Sequence, residues 1–399
     1  MKRESRVLFP RLIRTDPRRK FRTEKHHEYL ARSSQFASAQ VRSLLNRWFS
    51  HLPENVRKDI KGRFWSKDIG NQPSAFFELY LHELLIRLEY SVTPYPGVSE
   101  GHPDFLVQSE AGNEFYVEAI DPICEPRNKR QAEYRRNVVL DEIDKLESPD
   151  FFLDIHSQGR ISSPYPVEEL KRELRRLRNW IKALNYDEII TQRNQGKRPQ
   201  SFIISLNELT LYIEPLPKIR FRGKPGIQTL GCFSFGEAES DDNFLLGAIL
   251  TKAKKYKKLA KPYIIAVNYL GWPLDRELVL DTFLGRKESR LPQNLSPDEE
   301  PMIVRPHPGI WRPDRYTRVS GVLLGVSIEP SKIADQGLQL FLNPFAKYPY
   351  TGPLTELPQG VVQRDRMNAM EWTSGNHPRS IFDLPKGWPL RRARKRKRK

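Results

Sequence analysis

Apolar residues recur at helical spacing from Phe36 to about Ser66, at Val41, Leu44, Leu45, Trp48, Phe49, Val56, Ile60 and Phe64, and Pro53 divides the run into two helices. A second helical stripe, Phe77, Leu81, Leu84, Leu85 and Leu88, covers about Pro73 to Tyr90. The pattern then shortens to strand length. Ser91–Tyr95 stops at a proline, and Phe105–Val107 and Phe115–Ile120 are joined by a turn-prone Ser-Glu-Ala-Gly-Asn, the signature of a hairpin. There follow a charged helix (about 130–147), a strand (Phe151–Ile155) and a long basic helix (about 167–194). A hairpin is predicted at Phe202–Leu206 and Leu209–Ile213, then a helix from about Asp242 to Ala260 and an apolar strand, Pro262–Asn268. Beyond 270 the chain is proline-rich, with strand-like runs such as Ser320–Ser327 and no repeat of fixed period.

Composition narrows the class. A length of 399 residues predicts two to three domains, enough to bury a core without staples. Cys124 and Cys232 are too few for a disulfide framework or a four-cysteine zinc site. No run approaches the roughly 18 apolar residues of a membrane span, and no apolar signal segment follows Met1–Arg6. A soluble, cytoplasmic protein is expected. Lys and Arg number 67 against 49 Asp and Glu, a net charge of +18, which calls for a polyanionic partner. Eight of those charges sit in residues 391–399; the other ten units belong to the body. Such a run buries nothing and repels itself, so a disordered arm is expected, with Arg391, Arg392, Arg394, Lys395 and Arg396 as candidate phosphate contacts.

Three carboxylates stand out. Asp104 follows Pro103 at the start of one predicted strand, Glu118 lies 14 residues on in its hairpin partner, and Glu78 sits on the flank of the preceding helix's apolar stripe. Two hard carboxylate oxygens with waters are what Mg2+ takes. Two of them also have an ordinary reading, Asp104 as a turn residue and Glu78 as a solvated helix flank; His82, one turn after Glu78, reads as a packing histidine. The histidines show no HxH or HExxH spacing, and neither a GxxxxGK[ST] loop nor a GxSxG elbow is present, which excludes the corresponding zinc, nucleotide-motor and serine-hydrolase signatures.

Glu78, Pro103-Asp104 and Glu118-Ala119-Ile120, in the order helix, strand, strand, resemble the PD-(D/E)xK nuclease superfamily with its restriction-endonuclease-like fold. The resemblance covers about fifty contiguous residues and departs from the motif at Ile120, which stands where the family has a lysine that positions or activates the attacking water. A replacement is suggested by the helix Asp242–Ala260, where Leu245, Leu246, Ile249, Ala253, Tyr256, Leu259 and Ala260 form one stripe and Lys252 falls inside it. A lysine on a buried face needs an anionic partner, unless its stem is buried and its head snorkels.

The predicted fold is α/β: a nuclease-like core of a mixed sheet flanked by helices, split between 73–120 and 243–270. Around it are a basic helical region (1–72), an α+β insertion (121–242), a proline-rich C-terminal accessory region (271–390) and the tail. A competing parse makes 130–157 the second core helix and strand; Lys252 favours the split. The resemblance implies a Mg2+-dependent endonuclease (Mn2+ substituting) acting on nucleic acid, with DNA ranked ahead of RNA as substrate, and a role in restriction, defence or repair. Asp104 and Glu118 would hold the metal, Glu78 a second metal or a water, and Lys252 the nucleophilic water. Cutting both strands implies a homodimer. The alternative is a nucleic-acid-binding protein that keeps the fold and has lost catalysis.

Overall fold

The computed structural model of the chain describes residues 7–68, 70–97, 102–120, 127–224, 227–235, 242–256, 259–270, 274–290, 302–305, 309–362 and 369–390. The tail residues Arg391, Arg392, Arg394, Lys395 and Arg396 lie outside them. In chain order the first elements are α1 (His26–Arg32), α2 (Phe36–His51), α3 (Glu54–Phe64), α4 (Asn71–Arg87), β1 (Ser91–Pro94), β2 (Phe105–Gln108) and β3 (Glu114–Ile120). Next come α5 (Arg127–Asp144), β4 (Phe151–Gln158), α6 (Val167–Ala183), α7 (Tyr186–Asn194), β5 (Phe202–Leu206), β6 (Leu209–Pro217) and β7 (Leu230–Phe235). The chain continues through α8 (Asp242–Ala253), β8 (Tyr263–Tyr269), α9 (Arg276–Leu284), β9 (Glu288–Arg290), β10 (Met302–Val304), β11 (Val319–Val326), β12 (Leu338–Leu342), β13 (Gln359–Val361), β14 (Glu371–Thr373) and α10 (Pro378–Ile381).

Two compact units result: Met1–Arg19 with His26–Cys124 and Ser240–Lys399, and Lys20–Lys25 with Glu125–Glu239. The first is mixed α/β, built on an eight-stranded sheet in the order β1-β2-β3-β8-β11-β12-β13-β14. β1, β2 and β3 pair antiparallel; β3, β8 and β11 run parallel. β8 is buried along its whole length, as a central parallel strand covered on both faces must be. Alternation sorts its side chains: Ile264 and Ala266 join the cluster that holds α2, α3 and α4, whereas Ile265 and Val267 join Leu245, Ile249 and Ala253 of α8 and Leu278, Val279 and Phe283 of α9. β3 divides likewise, with Phe115, Val117 and Ala119 on the first side and Tyr116 and Ile120 on the second. Glu118, between Tyr116 and Ile120 in the alternation, therefore faces the α8 layer.

Three expectations need correction. The stretch 271–390 is not an accessory region, because β11–β14 extend the same sheet and β11, an apolar run buried on both faces, lies against β8. The basic helix 167–194 is two helices, interrupted where Leu184 is extended and the Asn185 side chain caps α7 at the Asp187 and Glu188 amides. The helix from Asp242 ends at Ala253 rather than Ala260. Lys261 precedes Pro262, where α conformation is disfavoured.

The second unit has its own four-stranded sheet, β5-β6-β4-β7, with α5 and α6 supplying Val139, Leu140, Leu170 and Leu177 to its core. β4 lies in this sheet and β8 beside β3, so the helix and strand of 130–157 are not part of the larger sheet. The short segment 20–25 belongs here because the Arg22 and Thr23 amides donate to the Asp141 carboxylate at 2.8 and 2.9 Å. On α6, Glu168–Lys171, Glu169–Arg172 and Glu173–Arg176 pair along the helix, which accounts for its interleaved charges. Among the described residues no helix is long and apolar enough to cross a membrane.

Candidate active site

The β2–β3 register pairs Phe105 with Val117, so Asp104, one residue before β2, stands opposite Glu118. Directly opposed residues of an antiparallel pair share a face at close range. Asp104 is held at its backbone by the Tyr95 amide, which donates to its carbonyl at 2.8 Å, and at its side chain by the Ala119 amide, which donates to Oδ2 at 2.7 Å. Oδ1 accepts no hydrogen bond among the described residues. Burial, then the charges of Glu118 and Glu78, push the Asp104 carboxyl up to about 7; the Ala119 amide and Lys252 offset this only in part.

Glu118 is fully buried and could not stay ionised there unpaired. Its Oε1 accepts from the Lys252 ammonium at 2.8 Å and the Lys255 ammonium at 2.7 Å, and its Oε2 from the Tyr256 hydroxyl at 2.7 Å. Burial and the Glu118 charge raise the Tyr256 phenol, so it stays a donor. The lysine side chains are 27% and 42% exposed, against 0% for Glu118. Either ammonium can therefore turn toward solvent or a ligand, while the carboxylate cannot. Ile120 packs in the apolar cluster of α8, and the lysines that reach Glu118 are Lys252 and Lys255.

Glu78 has a different setting. Arg63 of α3 grips both its oxygens, at 2.6 and 2.7 Å, and the Tyr95 hydroxyl donates to Oε2 at 2.7 Å. Tyr95 has φ +50°, a conformation that costs a non-glycine residue about 1–2 kcal/mol. It thus ties Asp104, through its amide, to Glu78, through its hydroxyl. His82 is buried against Phe105, and burial drives its pKa down to about 4, so it is a neutral packing residue.

Among the described residues no group of three or more His, Cys, Asp and Glu side chains is placed to hold a metal ion. Of the two facing carboxylates, Glu118 has both oxygens taken by Lys252, Lys255 and Tyr256. Mg2+ is commonly bound by one or two carboxylates and completes its shell with water, and Asp104 has one oxygen without a hydrogen-bond partner among the described residues, on a carboxyl that burial and its acidic neighbours push up to about 7. Glu78 is already neutralised by Arg63. Periodicity pointed to Lys252, but Lys255, Tyr256, Arg63 and Tyr95 were not singled out. Lys255 and Tyr256 lie past the end of α8, so helical spacing gives no signal for them, and nothing local links Arg63 to Glu78. Comparison of the chain with protein-family models, curated proteins and solved structures gives no match.

Proposed function

We propose that the chain is a metal-dependent nuclease with a restriction-endonuclease-like core, hydrolysing phosphodiester bonds of nucleic acid, with DNA as the preferred substrate and Mg2+, or Mn2+, as cofactor. The reading rests on one observation: Asp104 and Glu118 face each other across two strands with Lys252 2.8 Å from Glu118. The +18 charge of the chain agrees with a polyanionic substrate. Asp104 and Glu118 would hold the cation, whose chemistry would be to polarise the scissile phosphate and acidify a water. Lys252, beside Glu118 and partly exposed, would orient the attacking water and screen phosphate charge. Tyr256 keeps Glu118 oriented, and Arg63 with Tyr95 keeps the negative charge of Glu78 neutralised.

Incubation with plasmid, single-stranded DNA and RNA, in Mg2+, Mn2+ or EDTA, tests this directly. Metal-dependent cutting is expected, and cutting that persists in EDTA sinks the mechanism. A second reading, a nucleic-acid binder without catalysis, is favoured by a specific feature: both Glu118 oxygens are taken and Ile120 replaces the motif lysine. No cutting, together with intact salt-sensitive binding, would select it.

Lys252→Ala is expected to slow cutting by about 10²–10⁴-fold with little change in thermal stability, because Lys255 and Tyr256 still satisfy Glu118. Wild-type turnover in that variant would exclude Lys252. Metal affinity carries a pH signature. The cation must displace the Asp104 proton, so Mg2+ affinity measured by calorimetry should be flat above about 7 and fall about tenfold per unit below it. A flat profile down to pH 5 would show that Asp104 is not a ligand.

A further inference from the structure

The N-terminal arm crosses α2 and leaves a groove of about 720 Å³ between them, lined by Arg11, Arg14, Arg42 and Arg47 with Ser43 and Ser50 and, among its lining residues, no aspartate or glutamate. The arm is fixed in place: Asn46 accepts from the Phe9 amide at 2.8 Å and donates to its carbonyl at 2.9 Å. Arg42 is only 8% exposed. Its Nη1 donates to the carbonyls of Leu30 and Ser33 at 2.6 and 2.9 Å, and no carboxylate pairs with it among the described residues. Burial and the nearby Arg14 charge push this guanidinium down to about 10. Arg14 in turn donates to the carbonyls of Ala31, Leu12 and Pro10. Two cations are therefore fixed by neutral carbonyls, and Arg11 and Arg47 stand exposed beside them. A buried cation with no counter-charge is expensive, and an anion in the groove would relieve it.

Gln40, Ser43, Arg47 and Ser50 follow one stripe of α2, of which Ser43, Arg47 and Ser50 line the groove. Leu12 and Ile13, 64% and 95% exposed, form an apolar rim suited to a sugar or base face. We propose that this groove binds the phosphodiester backbone of nucleic acid. The proposal rests on the nucleic-acid partner inferred above, but not on a metal or on cutting.

The test is binding in EDTA, by anisotropy of a labelled DNA duplex from about 50 to 200 mM salt, which leaves the cleavage question to its own assay. Arg11→Ser with Arg47→Ser alters only exposed side chains, and an unchanged thermal melt would certify the fold. Two lost phosphate contacts should make the log K against log salt slope shallower by about 2 and weaken binding about tenfold or more. An unchanged slope in the double variant overturns the proposal. So does saturable binding of inorganic phosphate that the variant loses while duplex binding stays, which would make the groove a small-anion site. Loss of binding to phosphatidylglycerol vesicles with duplex binding intact would overturn it in favour of a membrane surface.

Discussion

Replacing Glu118 by alanine is expected to abolish metal-dependent cutting and to cost about 1.5–3 kcal/mol of stability, the range for hydrogen bonds to a charged group, because both lysines can turn to solvent. The size follows from what is left behind. Two ammonium groups and the Tyr256 hydroxyl converge on its carboxylate, and without it Lys252 and Lys255 repel each other while Tyr256 loses its acceptor in a buried place. Glu118→Gln separates structure from chemistry. The amide still accepts hydrogen bonds, so the stability loss should be smaller, whereas the loss of cutting should be as complete. Denaturant unfolding of both variants with a plasmid assay reads the two effects. Glu118→Ala as stable as wild type would mean the ion-pair cluster does not form.

Asp104→Asn should move stability the other way. Burial and the facing carboxylates push the Asp104 carboxyl up to about 7, against about 4 in an unfolded chain. Between those values the folded protein holds a proton that the unfolded chain has released. The stabilising contribution is full below about pH 4 and is lost as pH rises through about 7. Asparagine resembles the protonated form and can still accept from the Ala119 amide. The variant should therefore be more stable than wild type at pH 8 in EDTA and equal to it at low pH. Loss of a metal ligand removes several kcal/mol of transition-state stabilisation, so cutting should fall by about 10³-fold or more. A more stable, inactive Asp104→Asn beside an unstable, inactive Glu118→Ala is a pattern that simple misfolding does not produce. Equal destabilisation by both would contradict the electrostatics described here.

Much of this site was legible before folding. The helices α2, α3 and α4 follow from their stripes, and β1, β2 and β3 from short apolar runs between turn residues. What was not legible has physical reasons. The Arg63–Glu78 clamp joins two helices whose mutual packing no local pattern specifies. Lys255 and Tyr256 lie just past the C-terminus of α8, where helical periodicity no longer applies. The strands β11–β14 looked like isolated runs in a proline-rich stretch, and only their pairing with β8 makes them part of one sheet.

The sequence by itself determined that Asp104 and Glu118 would meet, because hairpin register depends on a short turn and on alternation, both of them local. It also determined the surplus of positive charge and its concentration in the tail. Only the tertiary structure decided which cations reach which carboxylates. β8 reaches β3 across a whole inserted unit, and the ammonium groups of Lys252 and Lys255 arrive with the helix that precedes it. Burial then separates the two carboxylates: Glu118, fully covered, is paired with two lysines, whereas burial beside Glu118 and Glu78 pushes the Asp104 carboxyl up to about 7.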